Sequence, residues 1–295
     1  MKILISGGSG QLGSDCTLLL SKTHEVITPD EKDLDIVNLE KVLYMVSAVS
    51  PDILLNCAAF TNVDACETEK EEAWRVNADG PGNLAKAADK YGSKLVHIST
   101  DYVFNGRKEI PEPYAEDDEA EPLSYYGRTK LEGELIVKKI TANYLIIRTA
   151  WVYGINGHNF LKTMLKLVLK NPGKEIKVVN DQFGSPTWSY SLSQQIRKLI
   201  EVNAIGTYHA SSEGHCSWYE LARYFLEKMG VENNVVPCSS KDYPVKAVRP
   251  VNSILENRRL KDEGICVMPG WQDGIDEFTG KFGERLLREM RGSDK

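Results

Sequence analysis

Short, unbroken apolar runs recur through the first half of the chain, separated by longer stretches of helical period. KILIS (2–6) reads as a buried strand, followed by glycines and the helical stretch QLGSDCTLLLSK. EVITPD (25–30) is a second strand, LEKVLYMVSAVS (39–50) a helix and DILLNCAA (52–59) a third strand. A helix from about Glu69 to Tyr91 leads into KLVHIST (94–100), the fourth strand. After a loop comes a helix carrying Tyr126 and Lys130, then NYLIIRTAWVYG (143–154), the fifth strand. Continuous apolar strands separated by helices predict a parallel sheet covered on both faces. The expected fold class is α/β, a Rossmann-type doubly wound sheet.

The second half is less regular. It offers helices at 159–170, 191–202 and 217–230 and strands at 175–181 and 206–211. Ser217 with Glu220 three residues on is a capping-box pattern, and Gly230 sits where a helix-ending glycine belongs. Residues 1–153 and about 188–212 are expected to form a dinucleotide-binding domain. About 154–187 and 213–295 are expected to form a smaller, mixed α/β substrate domain. The acidic segment EPYAEDDEAEP (112–122) reads as a solvated loop, with a lid as the competing reading.

Composition narrows the function classes. A net charge of −6 disfavours nucleic acid or an anionic membrane as the main partner of these 295 residues. No run is long and apolar enough for a signal peptide or a membrane span, which predicts a soluble, cytoplasmic protein. The six cysteines lack any CxxC pair, so free thiols are expected rather than disulfides or zinc.

SGGSGQLG (6–13) places Gly7, Gly10 and Gly13 at GxxGxxG spacing between the first strand and a helix. A pyrophosphate needs backbone without Cβ atoms and the free N–H groups of a helix start. The second predicted strand ends at Asp30, 17 residues past Gly13, where a carboxylate accepts from adenosine ribose hydroxyls. That favours NADH modestly over NADPH, with nearby Lys32 pulling the other way. Asp35 and Ile36 reach the adenine edge on the same reading, or form an ordinary turn.

Strand four ends in HISTDYVF, so Ser99, Thr100 and Asp101 stand at the carboxyl edge of the sheet, where ligands bind. Tyr126 and Lys130 lie at i and i+4, on one helix face. A nearby ammonium lowers a phenol's pKa, and the same lysine can hold nicotinamide ribose hydroxyls. A hydroxyl such as that of Thr100 can orient a carbonyl against the tyrosine. These parts suit hydride transfer, with the cofactor giving hydride and the protein a proton.

GxxGxxG, NCAA (56–59), STDYVF (99–104) and Tyr-x-x-x-Lys together resemble the extended short-chain dehydrogenase/reductase family. NCAAFTNVDACE, STDYVFNG, YYGRTKLEGE, VVNDQFGSPT and RPVNSIL are similar to its dTDP-4-dehydrorhamnose reductase branch, over nearly the whole chain. The resemblance implies NADH- or NADPH-dependent reduction of the 4-keto group of dTDP-4-dehydro-L-rhamnose. It makes Thr100, Tyr126 and Lys130 the catalytic trio. It puts Gly7, Gly10, Gln11 and Leu12 on the phosphates and Ala58 and Ala59 along the cofactor. It brings Thr61, Val63, Tyr102, Trp151 and Arg249 to the sugar or its diphosphate, and gives Asn77 an ordering role. Tyr102 stands where related dehydratases carry the glutamate of Thr-Asp-Glu, which argues against dehydration. Two readings compete: a non-catalytic regulatory subunit of the methionine adenosyltransferase β type, and another sugar-nucleotide reductase or epimerase. Some family members hold magnesium at a dimer interface. This chain offers Asp15 and Tyr190 in two of those regions, so no metal site is expected, and both monomer and homodimer stay open.

Among other residues, His97 reads as a buried, hydrogen-bonded strand residue. His158, His209 and His215 lack ligand spacing. Trp74, Trp188, Trp218 and Trp271 read as packing or rim residues.

Overall fold

The computed structural model describes residues 1–243 and 245–292. The first body contains β1 (Lys2–Ser6), α1 (Gln11–Leu20), β2 (Glu25–Ile27), α2 (Leu39–Val49), β3 (Ile53–Asn56), α3 (Val63–Cys66), α4 (Lys70–Trp74), α5 (Gly80–Tyr91), β4 (Lys94–Thr100), α6 (Tyr125–Ile140) and β5 (Tyr144–Thr149). There follow β6 (Val152–Tyr153), α7 (Phe160–Lys170), β7 (Glu175–Val179), β8 (Phe183–Gly184), β9 (Thr187–Trp188), α8 (Ser189–Glu201) and β10 (Gly206–His209). β11 (Cys216–Ser217), α9 (Trp218–Lys228), β12 (Asn234–Cys238), α10 (Arg258–Asp262) and α11 (Trp271–Gly292) complete the described chain.

β10, β5, β4, β3, β1 and β2 lie side by side in that order, all parallel. Ile3, Ile5, Leu55, Val96, Leu145 and Ile147 point to one face, with Leu192 and Ile196 of α8. Leu4, Leu54, Leu95 and Ile146 point to the other, with Val42 of α2, Leu84 of α5 and Val137 of α6. Burial on both faces is the reason these strands show no polar alternation. The order turns at β1 and β3, so a crevice opens beyond their carboxyl ends, as parallel sheets require at a switch point.

The second core lies outside the sheet, gathering Leu161 and Met164 of α7, Phe225 of α9 and Ile275 and Phe278 of α11 around Trp188 and Tyr153. Paired two by two are β7 with β12, β8 with β11 and β6 with β9. α9 starts with the predicted box: Glu220 N donates to Ser217 Oγ at 3.1 Å and Ser217 N to Glu220 Oε2 at 2.7 Å. Gly230 follows at φ +63°. Leu260 and Met268 pack back onto the sheet's core.

Three elements depart from the apolar pattern. The fifth strand stops at Thr149, because Trp151 turns the chain at φ +45° before β6 pairs with β9. The helix predicted over Glu69–Tyr91 is broken by a π turn at Arg75–Asp79. The acidic loop is buttressed. Tyr114 stacks on Phe104 with centroids 4.5 Å apart and its backbone pairs with Leu255. Asp117 meets Arg258 at 2.9 Å, and Glu116 accepts from the backbone of His209 and Arg259.

Candidate active site

The glycines set the first wall of the site. A Cβ on Gly7 would stand 2.6 Å from Ala58 N, and Gly7 sits at φ +71°. A Cβ on Gly13 would stand 2.1 Å from Gly7 O. The loop therefore turns tightly against the end of β3 and delivers α1's first N–H groups into the crevice. Gly7, Gly10, Asp35, Ile36, Ala58 and Ala59 line one groove of about 350 Å3. A groove edged by Gly7, Gly8 and Gly10, without Cβ atoms, fits a dinucleotide. Leu12 lines no part of the groove; its side chain is buried in the sheet's core. The Gln11 side-chain amide bridges to the second body, donating to Val152 O at 2.9 Å and accepting from Asn159 Nδ2 at 2.9 Å. Asp30 lies past the end of β2, exposed, outside the groove lining that includes Glu31 and Arg75.

α6 brings Tyr126 and Lys130 to the end of β4. Ser124 caps the helix by accepting from Gly127 N at 3.1 Å. A Cβ on Gly127 would lie 2.1 Å from Tyr102 O, so glycine there lets the helix press onto the turn that follows Thr100. Gly133 plays the same part lower down, against Asn77 O at 2.3 Å. Asn77 is fully buried in the π turn; it accepts from Phe60 N at 2.9 Å and donates to Phe60 O at 3.0 Å and Thr129 Oγ1 at 3.1 Å. It thereby ties the loop after β3 to α6, which accounts for a π turn at this place.

The trio converges. Thr100 lies beside the Tyr126 phenol and donates to Asp101 Oδ1 at 2.9 Å. Lys130 is buried, and its ammonium donates to Ile98 O at 2.6 Å. Burial holds the Tyr126 phenol above its ordinary range, with Asp101 and Tyr102 adding to the effect and Thr100 opposing it. The spacing predicted the reverse, a phenol lowered by Lys130. In this arrangement the lysine is itself desolvated, down to about 8, and turned to a backbone carbonyl. Burial also raises Asp101 to about 6. His97 is buried as expected, taking a hydrogen bond from Asn56 Nδ2 at 3.1 Å, and burial keeps it neutral.

On the far side, Tyr102 meets Tyr126 edge-on at 5.7 Å and contacts Arg249. Arg249 Nη2 donates to Asp64 Oδ2 at 2.7 Å. Thr61 and Val63 stand three residues and one residue before Asp64, so this ion pair brings their segment and Arg249 together across the sequence. Arg249 also lines a mainly apolar pocket with Phe160, Met164, Ile176, Trp218 and Tyr243. Trp151 stacks on Trp218 with centroids 3.4 Å apart, and its Nε1 donates to Ser253 Oγ at 3.2 Å. Gly184 makes room for that indole, since a Cβ there would lie 2.4 Å from it. Trp188 and Trp271 are core residues, and Trp218 packs against the second core at the edge of a pocket, all as expected of packing or rim residues. The pocket itself left no signal, because it comes from segments far apart in sequence.

All six cysteines are free. Asp15 is buried and accepts from Ser189 Oγ, and Tyr190 packs on Trp188 beneath the Lys281 ammonium.

Comparison with known proteins places this geometry. The family described as RmlD substrate binding domain matches residues 1–283. The chain belongs to this family of dTDP-4-dehydrorhamnose reductases. It is 39% identical to the spore coat polysaccharide biosynthesis protein SpsK of Bacillus subtilis, over 94% of this chain and 96% of that one. The crystal structure of a dTDP-4-dehydrorhamnose reductase from Clostridium acetobutylicum is 42% identical, with a TM-score of 0.92 over 96% of this chain and 99% of that one. That of the Bacillus anthracis reductase in complex with NADP is 40% identical, with a TM-score of 0.92 over 95% of this chain and 99% of that one. The family fold is the Rossmann-type sheet described above. Among the described residues, no helix is long and apolar enough to cross a membrane.

Proposed function

We propose that the chain reduces the 4-keto group of dTDP-4-dehydro-L-rhamnose to dTDP-L-rhamnose with NADH or NADPH. The observation that carries this reading is that Thr100 and Tyr126 stand side by side at the end of β4, with Lys130 one helical turn on and tied to Ile98 O, in a chain of this family. The reduced nicotinamide, when bound, supplies the hydride. Tyr126 gives its proton to the carbonyl oxygen as the carbon becomes an alcohol; its raised phenol is fully protonated at neutral pH and so carries the proton that the nascent alkoxide takes. Thr100 orients that oxygen, and the Lys130 ammonium, below about pH 8, holds the ribose hydroxyls. Gly7 and Gly10 admit the pyrophosphate, with Ala58 and Ala59 beneath. Arg249, with Thr61, Val63, Tyr102 and Trp151, receives the sugar diphosphate, and the pocket between Phe160 and Trp218 takes the base. The two lobes divide near 154, 188 and 213.

Cofactor choice rests on opposed charges. Asp30 and Glu31 repel a 2′-phosphate, and Arg75 at the groove's rim attracts it. Comparing kcat/KM for the two cofactors decides it, and a strong NADPH preference would leave the Asp30 argument empty.

The test is to add dTDP-4-dehydro-L-rhamnose with each reduced cofactor and follow its absorbance. Cofactor binding without oxidation would sink the reductase reading and leave the regulatory-subunit reading. Tyr126→Phe is expected to lose most turnover, on the order of 100-fold or more, with cofactor affinity nearly unchanged. Full activity in that variant would remove Tyr126 as proton donor.

A further inference from the structure

One buried carboxylate beside the trio has no part in the chemistry above. Glu134 follows Lys130 by one helical turn on the inward face of α6 and is completely buried. Its Oε1 accepts from Ser99 Oγ at 2.6 Å and from Arg148 Nε at 2.9 Å. Its Oε2 accepts from Arg148 Nη2 at 2.8 Å and from Lys138 Nζ at 3.5 Å. Ser99 lies between Ile98, whose carbonyl holds Lys130, and Thr100, which stands beside Tyr126. Arg148 is directly opposite Ser99 in the β4–β5 ladder. Three elements therefore meet at one carboxylate, one residue away from both catalytic contacts of β4.

We propose that Glu134 is the positioning residue of this site: it clamps α6 to β4 and β5, sets the reach from Tyr126 to Thr100, and keeps a negative charge beneath the Lys130 ammonium. The inference rests on the reductase reading for its turnover test and on cofactor binding alone for its electrostatic one.

The geometry favours this over a merely stabilising ion pair. A buried pair seldom adds net stability over apolar packing, so its value lies in fixing a unique arrangement. Here the carboxylate shares its oxygens between the guanidinium and a serine hydroxyl on the strand that carries Thr100, which an apolar substitute could not reproduce. The charges around it are few. Glu134 itself is held ionised by Arg148 and Lys138 against burial. His209, packed against the same guanidinium, is pushed down to about 3 and stays neutral. Facing Lys130 are Glu134 on α6, the Cys57 thiol after β3 and the neutral His97 on β4. Burial pushes Lys130 down to about 8, and Glu134 is the first group opposing that fall.

The experiment uses the full chain with Glu134→Gln, and Ser99→Ala as a gentler variant that keeps the carboxylate. Two quantities are read: kcat and KM with the keto sugar, and the pH dependence of reduced-cofactor binding by fluorescence without sugar. In Glu134→Gln, kcat is expected to fall about 100-fold with little change in KM, as a displacement of about an ångström does. The alkaline limb of cofactor binding moves to lower pH, because the ammonium loses its supporting charge. In Ser99→Ala, kcat falls on the order of 10-fold and the limb stays in place. Wild-type kcat together with an unmoved limb in Glu134→Gln overturns the proposal; lost turnover with an unmoved limb reduces Glu134 to structural support and also overturns it. Should Glu134→Gln fail to fold, wild-type kcat in Ser99→Ala is the overturning result. A wild-type chain that binds cofactor but turns over no sugar refutes the reductase reading, while a limb shift in Glu134→Gln would still support the clamp.

Discussion

The glycine groove and the pocket at Arg249 have floors of opposite material. The groove at Gly7, Gly10, Ala58 and Ala59 has a floor of backbone, shaped by the absence of side chains, with Asp35, Ile36 and Arg75 of other segments along its walls. The pocket at Phe160, Trp218, Tyr243 and Arg249 is a surface of side chains drawn from four separate segments. A backbone surface fails outright when a methyl group is added. A side-chain surface loses affinity by degrees as its walls are removed.

The largest break is therefore Gly13→Ala. Its new methyl would stand 2.1 Å from Gly7 O and 2.9 Å from Gly8 Cα, so the phosphate loop must open or the helix must retreat. Cofactor affinity is expected to fall by about 100-fold or more, measured by fluorescence titration, while dTDP binding in calorimetry is retained. Unchanged cofactor affinity would show that the loop does not bear the pyrophosphate.

Trp218→Ala is the graded counterpart. It removes the partner stacked on Trp151 and one wall of the pocket, and leaves the glycine groove intact. Affinity for dTDP is expected to fall about tenfold, the worth of one aromatic contact, with cofactor affinity unchanged. A loss in both would mean that the two concavities are one cooperative unit, coupled through the Gln11 link to Val152 and Asn159.

That contrast also explains what the sequence could say. The groove was legible because its requirement is local: glycines at fixed spacing after an apolar run have one steric meaning. Tyr126 and Lys130 were legible because helical period sets which residues share a face. The pocket was not, since Phe160, Trp218 and Arg249 meet only through folding, and an aromatic residue at helical spacing reads as core. The π turn at Arg75–Asp79 was hidden for the same reason. Asn77 leaves the α-helical ladder for contacts to Phe60 and Thr129, one of them 52 residues away. Ionisation was misread where burial acts on a phenol, as Tyr126 shows, with Asp101 and Tyr102 adding to the rise.

The smallest predicted effect separates chemistry from stability at Lys130. Burial brings its ammonium to about 8, against an ordinary lysine value of 10.5 in the unfolded chain. Below about 8 both states carry the proton. Between about 8 and 10.5 the unfolded chain still carries it while the folded chain has released it. Stability from this group therefore rises with pH across that window. On the role proposed for Lys130, ribose binding moves the other way, since the ammonium assigned to the hydroxyls disappears. Cofactor affinity is thus expected to decline by a few fold as pH passes about 8, with no matching contribution from Lys130 to a fall in melting temperature. Lys130→Met should flatten both trends. If affinity and melting temperature instead declined together in the native chain and equally in Lys130→Met, the alkaline limb would belong to general unfolding and not to this ammonium.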